Sequence, residues 1–431
     1  MTAALEPVRF DVEAIRHQFP ALHQRVNGKP LVYLDNAASA QVPVAVLDAM
    51  DHYYRNDRSN VHRGAHTLSR RATDAFEEVR ARVARFIGAA DPSEIVYVRG
   101  TTEAINLVAN TFGRSRLGPG DEVLVSTMEH HSNIVPWQIV CNQVGARVRE
   151  VPIDDRGQLD LDAYSAMLGP RVKMVALAHV SNALGTVNPA AEIVARAHAH
   201  GVPILLDGAQ AVAHLDVDVA ALGCDFYAFS GHKLYGPNGV GALYGRREHL
   251  DAMPPWHGGG EMIRDVSFDG TTFADPPFKF EAGTPDVSGV IGLGAAIDWF
   301  TSLDREAARA HERSLLTAAT ARIAEIDGVR LIGTAARKEA VLSFALGAHH
   351  PGDVGTLLDL DGVAVRDATN GISNLTTITA QGLGAATLAG TGSITVAAGS
   401  YDVSVRCAKT VFAHAQVDFR SGTLTVVAAA S

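Results

Sequence analysis

The sequence predicts an α/β fold in which a mostly parallel sheet carries helices on both faces. Apolar segments of strand length alternate with amphipathic segments of helix length from about residue 72 to residue 246, a rhythm typical of parallel sheets. The chain has 431 residues, of which 47% are hydrophobic and 19% are charged. It is therefore long enough for one large domain with a smaller partner domain.

Each element follows from its local pattern. Residues 73–89 show apolar side chains at helical spacing, and 101–112 begins with two threonines that suit a helix start. Further helices are predicted at 134–145 and 190–201. Apolar runs rich in β-branched residues indicate strands between these helices. We expect those strands at 94–100, 122–126, 146–153, 172–182, 202–209, 225–231 and 240–246.

Charge and cysteine usage exclude several functional classes. The formal net charge of −10 disfavours nucleic acids and anionic membranes as partners. Cys141, Cys224 and Cys407 are far apart and form no CxxC motif, which predicts neither a disulfide framework nor a metal site. The acidic N-terminus and the lack of a long apolar stretch speak against a signal peptide or a membrane span. We expect a cytoplasmic protein.

Polar residues follow five of the predicted strands. Taken singly, each has a structural explanation, such as a helix cap, a surface histidine, a turn or a solvated lysine. An acid that closes an apolar strand is costly to bury alone, so a cationic partner is expected. The residues are Thr101, Thr102, His130, Ser181, Asn182, Asp207, Gln210, Ser230, His232 and Lys233.

Together these residues indicate a Schiff-base cofactor that carries a phosphate. Such a cofactor needs a lysine amine, a carboxylate for its ring nitrogen, an anion seat at a helix N-terminus, and it benefits from a flat side chain over its ring. Lys233, Asp207, Thr101–Thr102 and His130 supply these groups in turn. Ligands of parallel sheets gather beyond the carboxyl ends of the strands, where these residues are predicted to lie.

The chain resembles the cysteine desulfurases of the SUF-type group, which includes selenocysteine lyases, within the class V aminotransferase family. The resemblance runs from about residue 10 to Arg366. Its motifs are YLDNAASAQVP (33–43), NVHRGAHTLSRRAT (60–73), VRGTTEAINLVA (98–109), MEHHSNIVPWQ (128–138), HVSNALGTVNP (179–189), LDGAQAV (206–212), CDFYAFSGHKLYGPNGVGALY (224–244) and FEAGTPDVSG (280–289).

The resemblance implies a pyridoxal 5'-phosphate enzyme of fold type I. Lys233 would bind the cofactor covalently and move protons, and His130 would stack on the ring and belong to the catalytic set. The remaining cofactor contacts implied are Asp207 to the ring nitrogen, Gln210 to the ring oxygen, and Thr101, Thr102, Ser230 and His232 at the phosphate, with Thr284 joining from a second subunit. Asn182 would face both cofactor and substrate.

The resemblance also implies the substrate side and the domain plan. Ala37, Ala38, His62 and Arg366 would lie near L-cysteine or L-selenocysteine, and a homodimer would share each site. The sulfur would go to an acceptor protein, as in iron–sulfur cluster assembly. The implied domains are an N-terminal segment 1–30 that packs with the small domain, a large cofactor-binding domain 31–295, a small α+β C-terminal domain 296–366, and an atypical tail 367–431.

The tail departs from the family pattern. The family would place a loop cysteine where this chain has Gly371, and the later arginine that would grip the substrate carboxylate has no counterpart. Residues after 371 alternate in short Thr-, Ala-, Gly- and Val-rich runs, a β-like pattern, whereas the family would use mostly helix. The tail is a divergent β segment, the end of a frameshifted or chimeric chain, or the carrier of a substitute thiol, Cys407.

Three functions follow from these observations. The first is a cysteine desulfurase or selenocysteine lyase that releases alanine, with the persulfide step weakened by Gly371. The second is another class V enzyme, namely a lyase, an epimerase or an aminotransferase, which needs Lys233 and Asp207 but no thiol. The third is a degenerate member that acts only as a binding partner, against which the retained cofactor residues argue.

Overall fold

The computed structural model describes residues 10–368 and four further strands, Leu375–Thr379, Ser400–Arg406, Phe412–Arg420 and Thr423–Ala430. The chain divides into two compact units. Unit 1 comprises Met1–Gln41, Thr301–Ile332 and Glu339–Ser431, and unit 2 comprises Val42–Phe300 and Gly333–Lys338. The predicted domain boundaries after residues 30, 295 and 366 stay a prediction.

Unit 2 is built on a seven-stranded sheet. Its strands are β1 (Ile95–Val98), β2 (Glu122–Ser126), β3 (Arg147–Val151), β4 (Val172–Ala178), β5 (Ile204–Asp207), β6 (Phe226–Ser230) and β7 (Gly241–Gly245). They lie in the order β1-β7-β6-β5-β4-β2-β3. Neighbouring strands are parallel except around β7, which is antiparallel to both β1 and β6. The predicted mostly parallel sheet is confirmed.

Five of the seven strands, including the edge strand β1, are fully buried. Every residue of β1, β2, β5, β6 and β7 is buried, as expected for strands with helices above and below. The edge strand β3 has the sequence RVREV and exposes charged residues, which discourages pairing with another chain. The burial pattern therefore explains why the central strands are the most apolar in the sequence.

Helices of unit 2 surround this sheet. The helix Thr67–Ile87 buries Ala72, Phe76, Val79 and Val83 at helical spacing and ends at Gly88, which has a left-handed φ of 71°. The other α-helices are Val44–His52, Thr101–Val108, Arg114–Arg116, Val135–Val144, Leu161–Met167, Ala190–Ala199, Ala211–His214, Val219–Leu222, Arg247–Ala252 and Val287–Thr301. Single-turn π-helices at Tyr53–Asp57 and Ala109–Gly113 extend two of them.

Shorter elements complete unit 2. The 3₁₀ turns are Pro92–Glu94, His131–Asn133, Gly231–Lys233 and Phe278–Phe280, and a hairpin joins Ile263–Ser267 to Gly270–Phe273. The separate segment Gly333–Lys338 belongs to unit 2 because it binds the loop after β4. There, the Val187 N–H donates to the Arg337 carbonyl oxygen at 3.0 Å.

Unit 1 contains helices and small sheets. Its helices are Val12–Arg16, the 3₁₀ turn Pro20–His23, Arg305–Ala324 and Pro351–Leu360. A four-stranded antiparallel sheet has the order Val329–Ile332, Val341–Leu346, Leu375–Thr379, Arg366–Ala368. Val32–Tyr33 pairs in parallel with Val363–Ala364, and Arg25–Val26 pairs with Lys29–Pro30.

The described parts of the tail are strands, in line with the β-like pattern of its sequence. Ser400–Arg406, Phe412–Arg420 and Thr423–Ala430 form a three-stranded antiparallel sheet. Gly371 and Cys407 lie outside the described residues. No helix within the described part of the chain has the length and apolar character needed to cross a membrane.

Candidate active site

The predicted site residues of unit 2 follow the carboxyl ends of its parallel strands. Gly100 and Thr101 follow β1, His130 follows β2, Asn182 follows β4, Gln210 follows β5, and Lys233 follows β6. Since these strands share one direction, their ends meet at one edge of the sheet. The topology therefore brings together residues that are more than a hundred positions apart in the sequence.

Lys233 and Asp207 are coupled electrostatically at this edge. Lys233 is half-buried and ends the 3₁₀ turn Gly231–Lys233, and Asp207 is the last residue of the neighbouring strand β5. Burial raises the pKa of Asp207, while the Ala209 N–H at 2.9 Å and the positive charge of Lys233 oppose that rise. The cationic partner expected for this buried acid is Lys233.

Tyr227 packs against the turn that follows Asp207, and His179 contacts Tyr227. A Cβ atom on Gly208 would lie 2.0 Å from Cε1 of Tyr227, so only glycine fits there. The Tyr227 hydroxyl lies 3.1 Å from Nδ1 of His179. Burial, aided by the charge of Arg337, lowers the pKa of His179 to about 4 and keeps its imidazole neutral. Sequence reasoning missed this pair, although His179 directly follows β4.

The predicted phosphate seat joins β1 to β6. Ser230 Oγ accepts a hydrogen bond from the Thr101 N–H at 2.8 Å and lies 2.9 Å from Thr101 Oγ1. A Cβ on Gly100 would lie 2.9 Å from the same Ser230 Oγ, which explains the glycine. Thr102 is exposed at the N-terminus of the helix, where the helix dipole favours anions.

His232 and Gln210 are the other residues predicted at the phosphate seat and around it. Burial and the charge of Lys233 lower the pKa of His232 to about 4, so its imidazole is neutral. Gln210 is buried and directly precedes the helix Ala211–His214. Asn182 is half-buried in the turn after β4, where the buried Ser181 accepts from the Leu184 N–H at 3.2 Å. These polar groups can hold an anion without adding a net charge.

His130 is exposed, and local hydrogen bonds orient its ring. Its Nδ1 accepts from the Ser132 N–H at 3.2 Å and lies 2.8 Å from Ser132 Oγ, so the histidine caps the turn His131–Asn133. The preceding residue, Glu129, is buried beneath this turn. A fixed, exposed imidazole suits stacking on a planar ligand.

A buried arginine ties His62 to the loop that carries Thr284. Arg80 donates to Glu77 and Glu281, with Nη1 2.6 Å from Glu281 Oε1. His62 Nε2 lies 3.0 Å from Glu77 Oε1, which extends the network to His62. Thr284 is exposed, three residues after Glu281. Sequence reasoning missed this arginine because its partner Glu281 is far away in the chain.

The remaining predicted residues belong to unit 1. The Asp35 carbonyl oxygen accepts from the Ala38 N–H at 3.0 Å, and Asp35 Oδ1 lies 3.9 Å from Nη1 of the exposed Arg366. Ala37 in the same turn is buried. The structure thus gathers Ala37, Ala38 and Arg366 around Asp35 within that unit.

The two described thiols, Cys141 and Cys224, are buried. Burial raises the pKa of Cys141 to about 11 and, with the charge of Asp225, that of Cys224 to about 12. Cys224 precedes β6 whereas Lys233 follows it, so these two residues lie at opposite ends of that strand. Within the described residues, no group of three or more His, Cys, Asp or Glu side chains is arranged to hold a metal ion.

Known proteins resemble this chain in sequence and in fold. The Aminotransferase class-V model matches residues 32–379. The cysteine desulfurase of Dickeya dadantii is 56% identical over 358 residues, which cover 83% of this chain and 87% of the relative. A probable cysteine desulfurase of Mycolicibacterium paratuberculosis is 53% identical, and the match covers 83% of this chain but only 52% of that relative.

Solved structures of cysteine desulfurases have a similar fold. The cysteine desulfurase CsdA of Escherichia coli is 41% identical with a TM-score of 0.79, over 87% of this chain and 94% of that chain. The apo cysteine desulfurase of Thermococcus onnurineus is 35% identical with a TM-score of 0.81, over 89% of this chain and 95% of that chain. With its strand-end lysine and aspartate, this chain belongs to the class V aminotransferase family.

Proposed function

We propose that this chain is a pyridoxal-phosphate-dependent cysteine desulfurase that releases alanine from L-cysteine and also accepts L-selenocysteine. The observation that carries the proposal is the placement of Lys233 beside the buried Asp207 at the ends of adjacent strands. The 56% identity to a cysteine desulfurase over most of both chains supports it.

The residues of unit 2 fit pyridoxal phosphate. The N-terminus of the helix that begins at Thr101 offers positive potential for a phosphate, with Thr102, Ser230 and His232 as further donors. We assign Asp207 to the ring nitrogen, Gln210 to the ring oxygen and the exposed ring of His130 to the cofactor face. When bound, this cofactor supplies an electron sink for bond cleavage at the substrate α-carbon.

Lys233 transfers the proton in the proposed reaction. Its amine would hold the cofactor and then move a proton between the substrate α-carbon and the cofactor. The neutral imidazole of His232 adds no second positive charge beside it. The carboxylate of Asp207 would keep a proton on the ring nitrogen. We propose Asn182 and His62 as substrate contacts, while those of Ala37, Ala38 and Arg366 stay a prediction.

The sulfur step requires an accessible, reactive thiol. Cys141 and Cys224 are buried with raised pKa values, and position 371 is glycine. We therefore propose an external thiol, free or on an acceptor protein, as the sulfur acceptor. Its thiolate attacks the substrate sulfur, an S–S bond forms as the C–S bond breaks, and a proton completes the methyl group of alanine.

The assembly and the location are part of this proposal. We propose a homodimer in which Thr284 reaches the phosphate of the partner's site, supported by the exposure of Thr284 beside the rigid Arg80–Glu281 pair. A cytoplasmic location is supported by the cysteine usage, since three scattered cysteines suit a reducing compartment.

The experiment compares L-cysteine and L-selenocysteine. Purified protein with added cofactor is incubated with each substrate, with and without dithiothreitol, and alanine is measured while mass spectrometry follows persulfide at each thiol. Lys233→Ala serves as the inactive control, and borohydride treatment should fix the cofactor to the peptide that contains Lys233. Alanine formation that depends on added thiol supports the proposal, whereas a holoprotein without alanine from either substrate contradicts it.

A second candidate is another class V enzyme, such as a lyase, an epimerase or an aminotransferase. The observation that favours it is the glycine at position 371, because such enzymes need Lys233 and Asp207 but no nucleophilic thiol. Turnover of amino acids without sulfur or selenium in the same assay would select this candidate. Absence of a visible cofactor band would instead favour a binding role without catalysis.

A further inference from the structure

The carboxyl group of Glu129 joins three segments of the candidate site. Its Oε1 accepts from Ser126 Oγ at 2.5 Å and from the Ala178 N–H at 3.0 Å, and its Oε2 accepts from Asn133 Nδ2 at 2.7 Å. Glu129 itself is only 3% exposed. A buried carboxyl with three donors links the end of β2, the turn after it and the end of β4.

Each of these segments carries a residue of the proposed cofactor site. His130 directly follows Glu129, and its carbonyl oxygen accepts from the Asn133 N–H at 2.8 Å. Ala178 is the register partner of Asp207 across β4 and β5. The Glu129 carboxyl group therefore connects the His130 ring, which would cover the cofactor face, to the strands β4 and β5. Asp207, which would bind the ring nitrogen of the cofactor, is the last residue of β5.

We propose that Glu129 is a positioning residue that fixes the His130 ring relative to the Asp207 strand end. This inference rests on the proposed function, since it concerns the same cofactor site. The role of Glu129 depends on contacts across the sheet, which a single sequence does not reveal.

The geometry predicts which substitutions disturb the cofactor and which restore it. In Glu129→Gln, the new amide would face the Asn133 amide, and Asn133 cannot turn freely because its Oδ1 accepts from Trp137 Nε1 at 3.2 Å. One buried donor then loses its partner. In the double variant Glu129→Gln with Asn133→Asp, glutamine donates to the new carboxylate, which also accepts from Trp137. All these hydrogen bonds can then form again.

The experiment measures pyridoxal phosphate affinity and the induced circular dichroism of the visible cofactor band. We expect Glu129→Gln to weaken cofactor binding on the order of 10-fold and to change the dichroic signal, which reports the orientation of the ring. The double variant should recover both to within about 3-fold of wild type. Glu150→Gln, at an exposed residue of the neighbouring strand, is the matched control.

The outcomes separate the two proposals. A wild-type holoprotein with no visible band on Lys233 contradicts the proposed function. A normal band with unchanged affinity and dichroism in Glu129→Gln contradicts the positioning role alone. If Glu129→Gln does not fold, the double variant decides, because failure of a folded double variant to regain the dichroic signal overturns the inference.

Discussion

At the residue scale, buried charge distinguishes the candidate site from the rest of the sheet. Asp207 and Glu129 are carboxyl groups within one apolar sheet, and each has neighbours that oppose the effect of burial on its pKa. Their mutual repulsion contributes to raising the pKa of Glu129. Two close acids in an apolar setting are costly for the folded state. Such a cost is typical of functional sites.

The pH dependence of stability tests the protonation of Glu129. Burial outweighs three hydrogen bonds and raises its pKa from 4.5 to about 7. The folded state therefore keeps a proton that the unfolded state has released, so the free energy of unfolding falls as the pH rises from about 4.5 to about 7. This contribution is about 3 kcal/mol. It should be absent in Glu129→Gln.

Urea unfolding of cofactor-free protein at about pH 4.5 and pH 7.5 checks this prediction. The difference between wild type and Glu129→Gln in the unfolding free energy should change with pH by the stated amount. Glu150→Gln should follow the wild-type curve. Parallel curves for wild type and Glu129→Gln would show that Glu129 does not retain its proton.

Gly208 tests the packing under Asp207. In Gly208→Ala the new methyl group would overlap the Tyr227 ring, so we expect a loss of about 2–3 kcal/mol in the unfolding free energy. Gly169→Ala is the control, because a Cβ at Gly169 meets nothing within 4 Å, and its effect should stay within about 0.5 kcal/mol. Equal unfolding midpoints for the two variants would refute the packing explanation.

Sequence reasoning identified the residues that follow strands but not those that support them. The sequence predicts Lys233 and Asp207 because they belong to a set of strand-end groups that together meet the needs of a Schiff-base cofactor, although each alone has an ordinary structural explanation. Glu129, Arg80 and Tyr227 have ordinary local patterns, and their importance comes from partners distant in the sequence. Strand order decides those partners, and a single sequence does not reveal strand order.

At the element scale, Asp225 connects the amino ends of two strands to two helices. It accepts from the Ile204 N–H and lies 2.8 Å from Nε2 of both His198 and His249. These histidines belong to the helices Ala190–Ala199 and Arg247–Ala252. The cluster attaches these two helices to the sheet at the amino ends of β5 and β6, whereas Lys233 follows the carboxyl end of β6.

Asp225→Asn tests this connection. Burial would raise the pKa of Asp225, but the hydrogen bonds from His249, His198 and Ile204 lower it overall. The stabilisation is therefore present above the usual value near 3.8 and is lost as the pH falls through the folded value. We expect the variant to lose about 2–3 kcal/mol at neutral pH. The gap in unfolding free energy between wild type and Asp225→Asn should become smaller as the pH falls.

Denaturant unfolding at neutral pH and at about pH 3 measures that gap. Asp251→Asn, at an exposed residue paired with Arg247, is the control and should change stability by less than about 1 kcal/mol. A gap that grows in acid would contradict the lowered pKa of Asp225.

The elements that the sequence predicted well are those with a strong local pattern. The strands β1, β2, β5 and β6 are continuous apolar runs, and the structure confirms them. The helix predicted at 101–112 is an α-helix only to Val108 and continues as a π-helix to Gly113. The hydrophobic pattern alone does not distinguish these forms, because π-helices occur mostly as single turns within α-helical segments.

At the scale of the whole molecule, the proposed exchange of Thr284 between subunits has a quantitative consequence. Lys233→Ala removes the proposed catalytic amine, and Thr284→Val removes a hydroxyl given to the partner. A mixed dimer of the two variants would keep one complete site. Random mixing should therefore give about a quarter of the wild-type rate of alanine formation, well above either variant alone.

The measurement mixes the two variants after partial unfolding and refolding and compares alanine formation with that of each variant alone. Lys233→Ala mixed with Asp207→Asn is the control, because both residues belong to the same subunit's site in the proposed arrangement, so no mixed dimer of these two variants contains a complete site. A mixture of Lys233→Ala and Thr284→Val that never exceeds its parents contradicts the shared site.

The segment Gly333–Lys338 has a consequence for how the protein is made. It holds the loop after β4, yet more than thirty residues of unit 1 separate it from the rest of unit 2. A ribosome must therefore translate past Lys338 before that loop gains its covering. A fragment truncated at Phe300 would emerge with the loop after β4 uncovered, so it should be captured by chaperones or proteases more readily than a chain that extends to Lys338.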